Sequence, residues 1–220
     1  MPSRDRFRLI VFDLDGTLID SRRDIAYAAN QLLVECGAQA LPESQVGRMV
    51  GEGAATLIAR AFRASGVERP PDALARFVEI YERHLTDSTR PYDGIIGALE
   101  TLADRATLAL LTNKPLRPTM TILERLGLAA FFPSSRVVGG DGPFPRKPDP
   151  AGLRDLLRVA NAAPDGAVLV GDSVIDCRTA RAAAVSICLA RYGFGFEDFP
   201  ADAAAPGDLF VDSPAELLAL

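Results

Sequence analysis

The segment FDLDGTL, residues 12–18, ends an apolar run that begins at Leu9, and it sets two carboxylates, Asp13 and Asp15, two residues apart. Side chains at positions i and i+2 of a strand point to the same face, so both carboxylates converge at the C-terminal end of a strand. Two such charges repel each other unless a cation lies between them, one carboxyl group is protonated, or both face water. The first two outcomes indicate a functional site, and the third is a solvated turn.

Three further polar clusters lie along the chain, each after an apolar run or before a predicted helix. They are TNKP at residues 112–115, RKPDP at residues 146–150, and GDS at residues 171–173, with Asp176 one helical turn beyond Asp172. In RKPDP, Asp149 suits a helix N-cap and Pro150 suits the first helical turn. Ligands bind outside the carboxyl ends of the strands in an open α/β sheet, so we expect the four clusters to meet in one crevice.

Strand-like and helix-like patterns alternate over most of the chain, which predicts an α/β fold with a Rossmann-like parallel sheet flanked by helices. The predicted strands cover residues 7–12, 108–112, 136–138, 167–170, 186–189 and 209–211. From Ser21 to about Arg90 the pattern is helical only. We therefore predict an inserted α-helical cap domain at residues 21–90 and an α/β core domain at residues 1–20 and 91–220.

In their order along the chain, these motifs resemble those of the haloacid dehalogenase superfamily of aspartate-nucleophile phosphotransferases. The matching residues are 13–17 for the first motif, Thr112 for the second, Lys147 for the third, and 171–172 with Asp176 for the fourth. Within that superfamily, TNKP, GGD at residues 139–141, KPDP at residues 147–150 and RYG at residues 191–193 are similar to segments of the phosphoglycolate phosphatases. The resemblance implies a helical cap with hinges near residues 20–21 and 91–94.

Asp13 is the expected nucleophile. A carboxylate that attacks a phosphoryl group forms an aspartyl-phosphate and divides one difficult displacement into two easier ones. The phosphate monoester is itself anionic, so the attack needs positive charge, and Mg²⁺ held by oxygen ligands supplies it. We predict Asp13 and Asp172 as side-chain ligands. The resemblance implies that the backbone carbonyl of Asp15 is a third ligand and that Asp176 orients a water on the metal or supports the site from just outside its ligands.

Asp15 is the expected general acid and base, which protonates the leaving alkoxide and later activates the attacking water. The resemblance implies that dehalogenases of the superfamily lack this second aspartate, so we predict a phosphatase. Thr112 and neighbouring backbone N–H groups are predicted to donate hydrogen bonds to the nonbridging phosphoryl oxygens. Lys147 is the predicted cation for both Asp13 and the phosphoryl group.

The residues that select the substrate are the least defined by the sequence. Asn113 and Lys114 are candidates, and Lys114 either contacts a substrate carboxylate or phosphate or only decorates a loop. Residues 48–53 of the cap, with Arg48 and Gly51, are further candidates, because the resemblance implies that a glycine-containing cap segment helps to close the active site and exclude water.

Composition limits the partners. The chain has 220 residues with a net charge of −5, and a pI near 5.0 argues against a general nucleic-acid-binding surface. Its three scattered cysteines fit a reducing compartment better than a disulfide framework, and no apolar run approaches the length of a membrane span. We expect a cytoplasmic monomer or homodimer that binds a small phosphorylated metabolite, and neither nucleic acid nor a membrane.

The predicted function is Mg²⁺-dependent hydrolysis of a small phosphomonoester, with 2-phosphoglycolate as the expected substrate. Three alternatives stay open on the sequence alone. They are a phosphatase for sugar phosphates, a phosphomutase that returns the phosphoryl group to its substrate, and a non-catalytic binding protein that keeps the fold. The last is the least expected, because the residues whose loss would indicate it, Asp13, Asp15, Lys147 and Asp172, are all present.

Overall fold

The computed structural model describes residues 7–220, so the first six residues of the predicted core domain lie outside the description. The strands in this range are β1 Leu9–Phe12, β2 Ile19–Asp20, β3 Arg90–Pro91, β4 Thr107–Leu111, β5 Val137–Val138, β6 Ala167–Gly171, β7 Ser186–Ala190 and β8 Leu209–Val211. Six of them form one parallel sheet in the order β5-β4-β1-β6-β7-β8. The predicted parallel α/β sheet is confirmed, and the ends of the predicted strands differ from the observed ends by at most two residues.

Both faces of this sheet are covered by helices. The helices are α1 Arg22–Glu35, α2 Glu43–Gly47, α3 Ala54–Ser65, α4 Ala73–Arg83, α5 Ile95–Ala103, α6 Leu116–Arg125, α7 Ala151–Val159 and α8 Val174–Ala182. In the central strand β1, Ile10 and Phe12 pack with side chains of α5 and α6, whereas Leu9 and Val11 pack with side chains of α7 and α8. Because neither face meets water, β1 is a continuous apolar run rather than an alternating one.

The carboxyl edge of the sheet is where the polar clusters emerge. The backbone N–H of Asp13 donates to Val170 O at 2.8 Å, and that of Thr112 donates to Val138 O at 3.0 Å. These bonds continue the parallel ladders of β1 with β6 and of β4 with β5 by one residue. The residues that follow β1, β4 and β6 are therefore fixed by the sheet itself and lie side by side.

Helix α7 begins one residue later than the sequence pattern predicts. Its first residue is Ala151, and Pro150 occupies the N-cap position instead of the first turn. Asp149 still satisfies the helix start, because its Oδ1 accepts a hydrogen bond from the N–H of Ala151 at 2.8 Å. Proline has no N–H to be capped, so the aspartate serves the next residue.

Helices α1 to α4 fill the interval between β2 and β3, where the sequence shows helical periodicity. Their apolar faces bury Leu32 and Leu33 of α1, Phe62 of α3 and Phe77 of α4. Within residues 7–220, no helix combines the length and the apolar character needed to cross a bilayer.

The two chain segments that enter and leave this helical interval are joined. The antiparallel pair β2–β3, which the sequence analysis did not predict, brings Ile19 opposite Pro91. Just beyond it, the buried carboxylate of Asp24 accepts hydrogen bonds from the backbone N–H of Ser88 at 2.9 Å and from the N–H and hydroxyl of Thr89 at 2.8 and 2.7 Å. The β2–β3 pair and Asp24 therefore hold together the two segments that connect the helical interval to the sheet.

Candidate active site

Lys147 links two of the predicted carboxylates. Its Nζ lies 2.7 Å from Asp13 Oδ1 and 2.6 Å from Asp176 Oδ1. The side chains of Lys147 and Asp176 are 2% and 0% exposed, so the contact is shielded from solvent. Burial opposes the charge on Lys147, but the two carboxylates outweigh it and raise the pKa of the ammonium group. Lys147 is therefore protonated at neutral pH and contacts Asp13, the residue that follows β1.

One lysine does not balance the acidic groups in this region. Burial raises the pKa of Asp13 to about 7, against the opposing effect of Lys147. Burial also raises the pKa of Asp172 well above its ordinary value, and the nearby charges of Asp176 and Asp13 add to the effect. Among residues 7–220, the hydrogen-bond partner of the Asp172 carboxylate is the N–H of Gly195, at 2.7 Å. The site is short of positive charge.

This donor set fits a hard divalent cation. Carboxylate oxygens of Asp13, Asp172 and Asp176 lie within 4.8 Å of one another, and oxygen ligands of this kind suit such an ion. Asp176 is already engaged, because its Oδ2 accepts from the hydroxyl and the N–H of Ser173 at 2.6 and 3.1 Å in a capping box that starts α8. Asp13 and Asp172 are therefore the carboxylates with the most capacity left for a metal.

Two glycines make the close approach of these carboxylates possible. Gly16 has φ of 86°, and a Cβ atom there would overlap the carboxylate of Asp172. A Cβ atom on Gly171 would overlap the side chain of Asp176 in the same way. Each glycine clears the space that a neighbouring carboxylate occupies, which explains why glycine follows Asp15 and precedes Asp172.

Asp15 belongs to a second, separate ion pair. Its Oδ1 accepts hydrogen bonds from Ser21 Oγ at 2.5 Å and from Lys114 Nζ at 2.7 Å. Lys114 also donates to the hydroxyl of Tyr81, in α4, at 2.6 Å. Burial opposes the charge on Lys114, but Asp15 and Tyr81 outweigh it and raise the pKa of the ammonium group. The two aspartates of the first motif are thus bound to two different lysines.

Thr112 and Asn113 follow β4 at the carboxyl edge of the sheet, and both are almost fully buried. The Thr112 hydroxyl oxygen accepts from the N–H of Lys114 at 3.2 Å, which leaves its own proton available as a donor. Asn113 is engaged within the protein, because its side chain accepts from Lys147 N at 2.8 Å and donates to Lys147 O at 3.0 Å and to Gly51 O at 2.8 Å. Asn113 positions Lys147 and joins it to the segment before α3.

A cavity of about 330 Å³ opens between these residues and the helical interval. Asp13, Asp15 and Asp172 line its polar side. The opposite side is mainly apolar, with Glu82 as its one acidic residue among residues 7–220, and its other side chains are those of Ile25, Val50, Ala54, Leu57, Phe77, Val78 and Tyr81. The volume and the small number of converging polar groups are typical of a small-molecule site.

Residues 48–53 lie partly at the cavity and partly at the protein surface. Gly51 and Gly53 line the cavity. Arg48 is absent from the lining, and its guanidinium group lies 3.4 Å from Asp198 and 4.0 Å from Glu197, with 40% of the side chain exposed. The structure therefore brings Gly51 to the site together with the four motifs, and it places Arg48 outside.

Three residues at the site were not identified from the sequence. Tyr81 reaches it from α4, where an aromatic residue at helical spacing is most simply a core residue. Gly195 lies in a short 3₁₀ turn after β7, two residues beyond the RYG segment, which was compared with relatives without a role in the site being assigned to its neighbours. Ser21 is part of the predicted hinge at residues 20–21, but its hydrogen bond to Asp15 was not predicted, and a hydroxyl six residues after Asp15 is only a weak signal for it.

Residues 10–190 match the model of the haloacid dehalogenase-like hydrolase family, and the chain belongs to this family. Its relatives include a phosphoglycolate phosphatase of Rhodospirillum rubrum, 43% identical over 199 residues that cover 86% of this chain and 82% of the relative. A plasmid phosphoglycolate phosphatase of Cupriavidus necator is 35% identical and covers 96% of this chain and 91% of its own length. A crystal structure of a predicted phosphoglycolate phosphatase from Haemophilus somnus superposes with a TM-score of 0.87 at 30% identity and 97% coverage of both chains. The family predicted from the motifs is confirmed.

Proposed function

We propose that this chain is a Mg²⁺-dependent phosphatase that hydrolyses 2-phosphoglycolate to glycolate and phosphate through an aspartyl-phosphate on Asp13. Membership in a hydrolase family and likeness to relatives named phosphoglycolate phosphatase support the reaction and the substrate. One observation carries the mechanism. The two aspartates of the first motif line one cavity and are bound to different lysines, Asp13 to Lys147 and Asp15 to Lys114.

In the first step, Asp13 acts as the nucleophile. Its Oδ1 is held by Lys147, so its other oxygen forms the bond to phosphorus as the bond from phosphorus to the bridging oxygen breaks. The Thr112 hydroxyl, whose oxygen already accepts from the backbone, donates a hydrogen bond to a nonbridging oxygen of the phosphoryl group.

Asp15 moves the protons in both steps. Ser21 and Lys114 both bind its Oδ1, which leaves Oδ2 to carry a proton to the bridging oxygen of the leaving glycolate. Asp15 then takes a proton from the water that attacks the aspartyl-phosphate, which restores Asp13 and releases phosphate. Because Asp13 and Asp15 are bound to different lysines, Asp13 can act as the nucleophile while Asp15 exchanges protons.

The metal site is the second part of the proposal. Asp13 and Asp172, with the backbone carbonyl of Asp15, would hold Mg²⁺, and Asp176 would support the site through Lys147 and Ser173. When bound, the cation would neutralise negative charge on the carboxylates and on the phosphoryl oxygens. The charge deficit around Asp13 and Asp172 supports this assignment.

We further propose that residues 21–90 act as a cap over the core formed by residues 1–20 and 91–220. The β2–β3 pair supports this proposal, because it joins the two segments that connect residues 21–90 to the core. Two hydrogen bonds at the cavity also support it, from Asn113 Nδ2 to Gly51 O and from Lys114 Nζ to Tyr81 OH. A cap in this place would exclude bulk water from the aspartyl-phosphate until the attacking water is in position.

The alternative enzymes differ in what the cavity must recognise or retain. A sugar phosphate would bring several hydroxyl groups against an apolar wall that offers them few partners, which costs binding energy. No feature of the site among residues 7–220 favours a mutase over a hydrolase.

The free thiols of Cys36, Cys177 and Cys188 are compatible with the predicted reducing compartment. The cytoplasmic location, the lack of nucleic-acid and membrane partners, and the oligomeric state stay predictions.

The test is phosphate release from single substrates by the purified full chain. The panel contains 2-phosphoglycolate, a sugar phosphate and β-glucose 1-phosphate, each with Mg²⁺ and with EDTA. We expect Mg²⁺-dependent release that is fastest from 2-phosphoglycolate. Faster release from sugar phosphates would reject the substrate but keep the phosphatase. Isomerisation of β-glucose 1-phosphate without net phosphate release would indicate a mutase.

The metal assignment has its own variant pair. Asp172→Asn removes one predicted ligand, and Asp165→Asn, on an exposed turn before β6, is the matched control. We expect the Mg²⁺ concentration for half-maximal activity to rise by about 10-fold or more in Asp172→Asn, on the scale of lost metal-site interactions, and to stay unchanged in the control. An unchanged Mg²⁺ requirement in Asp172→Asn would reject Asp172 as a ligand.

A further inference from the structure

The buried ammonium group of Lys114 has a hydrogen-bond donor to spare. A lysine offers three N–H donors. Within residues 7–220, the partners of Lys114 Nζ are Asp15 Oδ1 at 2.7 Å and Tyr81 OH at 2.6 Å. Only 8% of Lys114 is exposed, and it lines the cavity. The third N–H group of Lys114 can therefore donate only to a group inside that cavity.

The hydroxyl of Tyr81 has a free donor of its own. Its oxygen accepts from Lys114, so its proton remains to be donated, and no acceptor for it is present among residues 7–220. Tyr81 is 6% exposed and also lines the cavity, and its ring lies against the lysine with Nζ 4.8 Å from the ring centroid. Burial raises the pKa of Tyr81 to about 12, so the phenol keeps its proton at neutral pH.

The two spare donors lie on neighbouring atoms. The atoms that carry them are 2.6 Å apart, which suits the two oxygens of one carboxylate group. Other basic groups are less suitable. Arg117 also lines the cavity, but its side chain is 83% exposed and lies near Glu82. Arg48 pairs with Glu197 and Asp198 outside the cavity.

We propose that Lys114 and Tyr81 form the binding site for the carboxylate of the substrate, so that a residue of the cap selects phosphomonoesters of small hydroxy acids. This inference rests on the proposed function, since it assigns the non-reacting end of the same substrate. The location agrees with the chemistry, because Lys114 contacts Asp15, the residue that would protonate the bridging oxygen. In 2-phosphoglycolate that oxygen and the carboxylate are separated by a single methylene group.

The test compares two substrates that differ in this group alone. One is 2-phosphoglycolate, and the other is 2-hydroxyethyl phosphate, in which a neutral hydroxymethyl group replaces the carboxylate. We expect the full chain to favour 2-phosphoglycolate in kcat/KM by about 10-fold or more, the scale of hydrogen bonds to a charged group. Tyr81→Phe keeps the ring and removes the hydroxyl. We expect it to abolish most of this preference, because KM rises more for 2-phosphoglycolate than for 2-hydroxyethyl phosphate.

Two control variants separate this site from its rivals. Tyr27→Phe removes a phenol from an exposed position on α1, and we expect it to leave the preference unchanged. Arg117→Gln tests the other basic residue of the cavity. Loss of the preference in Arg117→Gln, or its retention in Tyr81→Phe, would overturn the assignment. Release of phosphate from both substrates at equal efficiency would also overturn it while the phosphatase stands, whereas release from neither substrate would reject the proposed function itself.

A measurement on the unmodified protein keeps the inference testable if Tyr81→Phe does not fold. Glycolate carries the carboxylate without the phosphoryl group, and ethylene glycol is its neutral counterpart. We expect glycolate to inhibit 2-phosphoglycolate hydrolysis competitively at a concentration at least about 10-fold lower than ethylene glycol. Equal inhibition by the two compounds would overturn the inference, because the site would then not distinguish a carboxylate from an alcohol.

Discussion

The two sides of the cavity are built in opposite ways. On the core side, charged groups stand at strand ends that the parallel sheet fixes, and Lys147 joins Asp13 to Asp176 through contacts of 2.7 and 2.6 Å. On the cap side, the wall is mainly apolar, and its polar groups include the hydroxyl of Tyr81, the side chain of Glu82 and the backbone of Gly51 and Gly53. In the proposed mechanism, the core side supplies the groups that break and form bonds, whereas the cap side is a mainly apolar wall with few polar groups.

This difference predicts which substitutions change the rate for every substrate and which change only the choice of substrate. A substitution on the core side alters charges that compensate one another over a few ångströms, so its effect is large for every substrate. A substitution on the cap side alters what fits above the phosphoryl group, so its effect depends on the substrate.

The largest effect is expected for Asp13→Asn. An amide cannot form the bond to phosphorus, so we expect kcat to fall by at least about 10³-fold for every phosphomonoester. The fold should persist, because the substitution removes a charge from a site where burial already disfavours it. The check is phosphate release together with a thermal melt, with Asp165→Asn as the surface control. Activity near that of the unmodified protein would remove Asp13 as the nucleophile.

The same residue should make the metal-free protein sensitive to pH. Burial raises the pKa of Asp13 from 3.8 to about 7, so the folded state favours the protonated form. The stability that this provides is complete below pH 3.8 and is lost as the pH rises through about 7. We expect the free energy of unfolding in EDTA to fall as the pH rises from about 4 to about 7, by at most about 4 kcal/mol.

The measurement is denaturant unfolding of the unmodified protein and Asp13→Asn across this pH range. The difference between the two removes the contributions of other titrating groups. Asp13→Asn should lack this part of the decrease, and Mg²⁺ should reduce it in the unmodified protein, because the ion binds the charged carboxylate. Parallel curves for the two proteins in EDTA would contradict the raised pKa.

A smaller loss is expected for Asp15→Asn. The amide keeps an oxygen that can accept from Ser21 and Lys114, but it cannot carry a proton to the leaving oxygen. We expect kcat to fall by about 10²-fold, the scale of lost general acid–base catalysis. Substrates with more acidic leaving groups, such as p-nitrophenyl phosphate, should lose less. Asp20→Asn, five residues later beside Arg22, is the control, and equal losses for all leaving groups would assign the proton transfer elsewhere.

The core side could be predicted from the sequence because each of its elements is local. A D-x-D pair at the end of an apolar strand points both carboxylates to one face, and parallel strands bring their carboxyl ends to one edge. The position of that edge was enough to predict that Asp13, Thr112, Lys147 and Asp172 lie close together. The alternation of patterns likewise predicted the six strands of the sheet.

The cap side could not be predicted because no sheet ladder fixes the positions of its side chains. Tyr81 meets Lys114 across 33 positions, and Asn113 meets Gly51 across 62 positions. Such contacts depend on how the four helices pack over the sheet, and an apolar periodicity does not specify that packing. The short pair β2–β3 was missed for a related reason, since two residues in each strand carry too little pattern to be recognised.

Arg48 is the residue for which the contrast predicts the smallest effect. As a basic residue near the glycines of the cap it was a candidate for substrate binding, yet the structure pairs it with Glu197 and Asp198 at the surface. Exposed ion pairs contribute about 0–1 kcal/mol, so we expect Arg48→Gln to change KM for 2-phosphoglycolate by less than about 3-fold. Arg60→Gln, which breaks an exposed pair with Glu52 on the same cap, is the matched control. A KM that rises by about 10-fold in Arg48→Gln alone would show that Arg48 reaches the substrate, and selectivity would then involve the surface of the cap as well as the wall of the cavity.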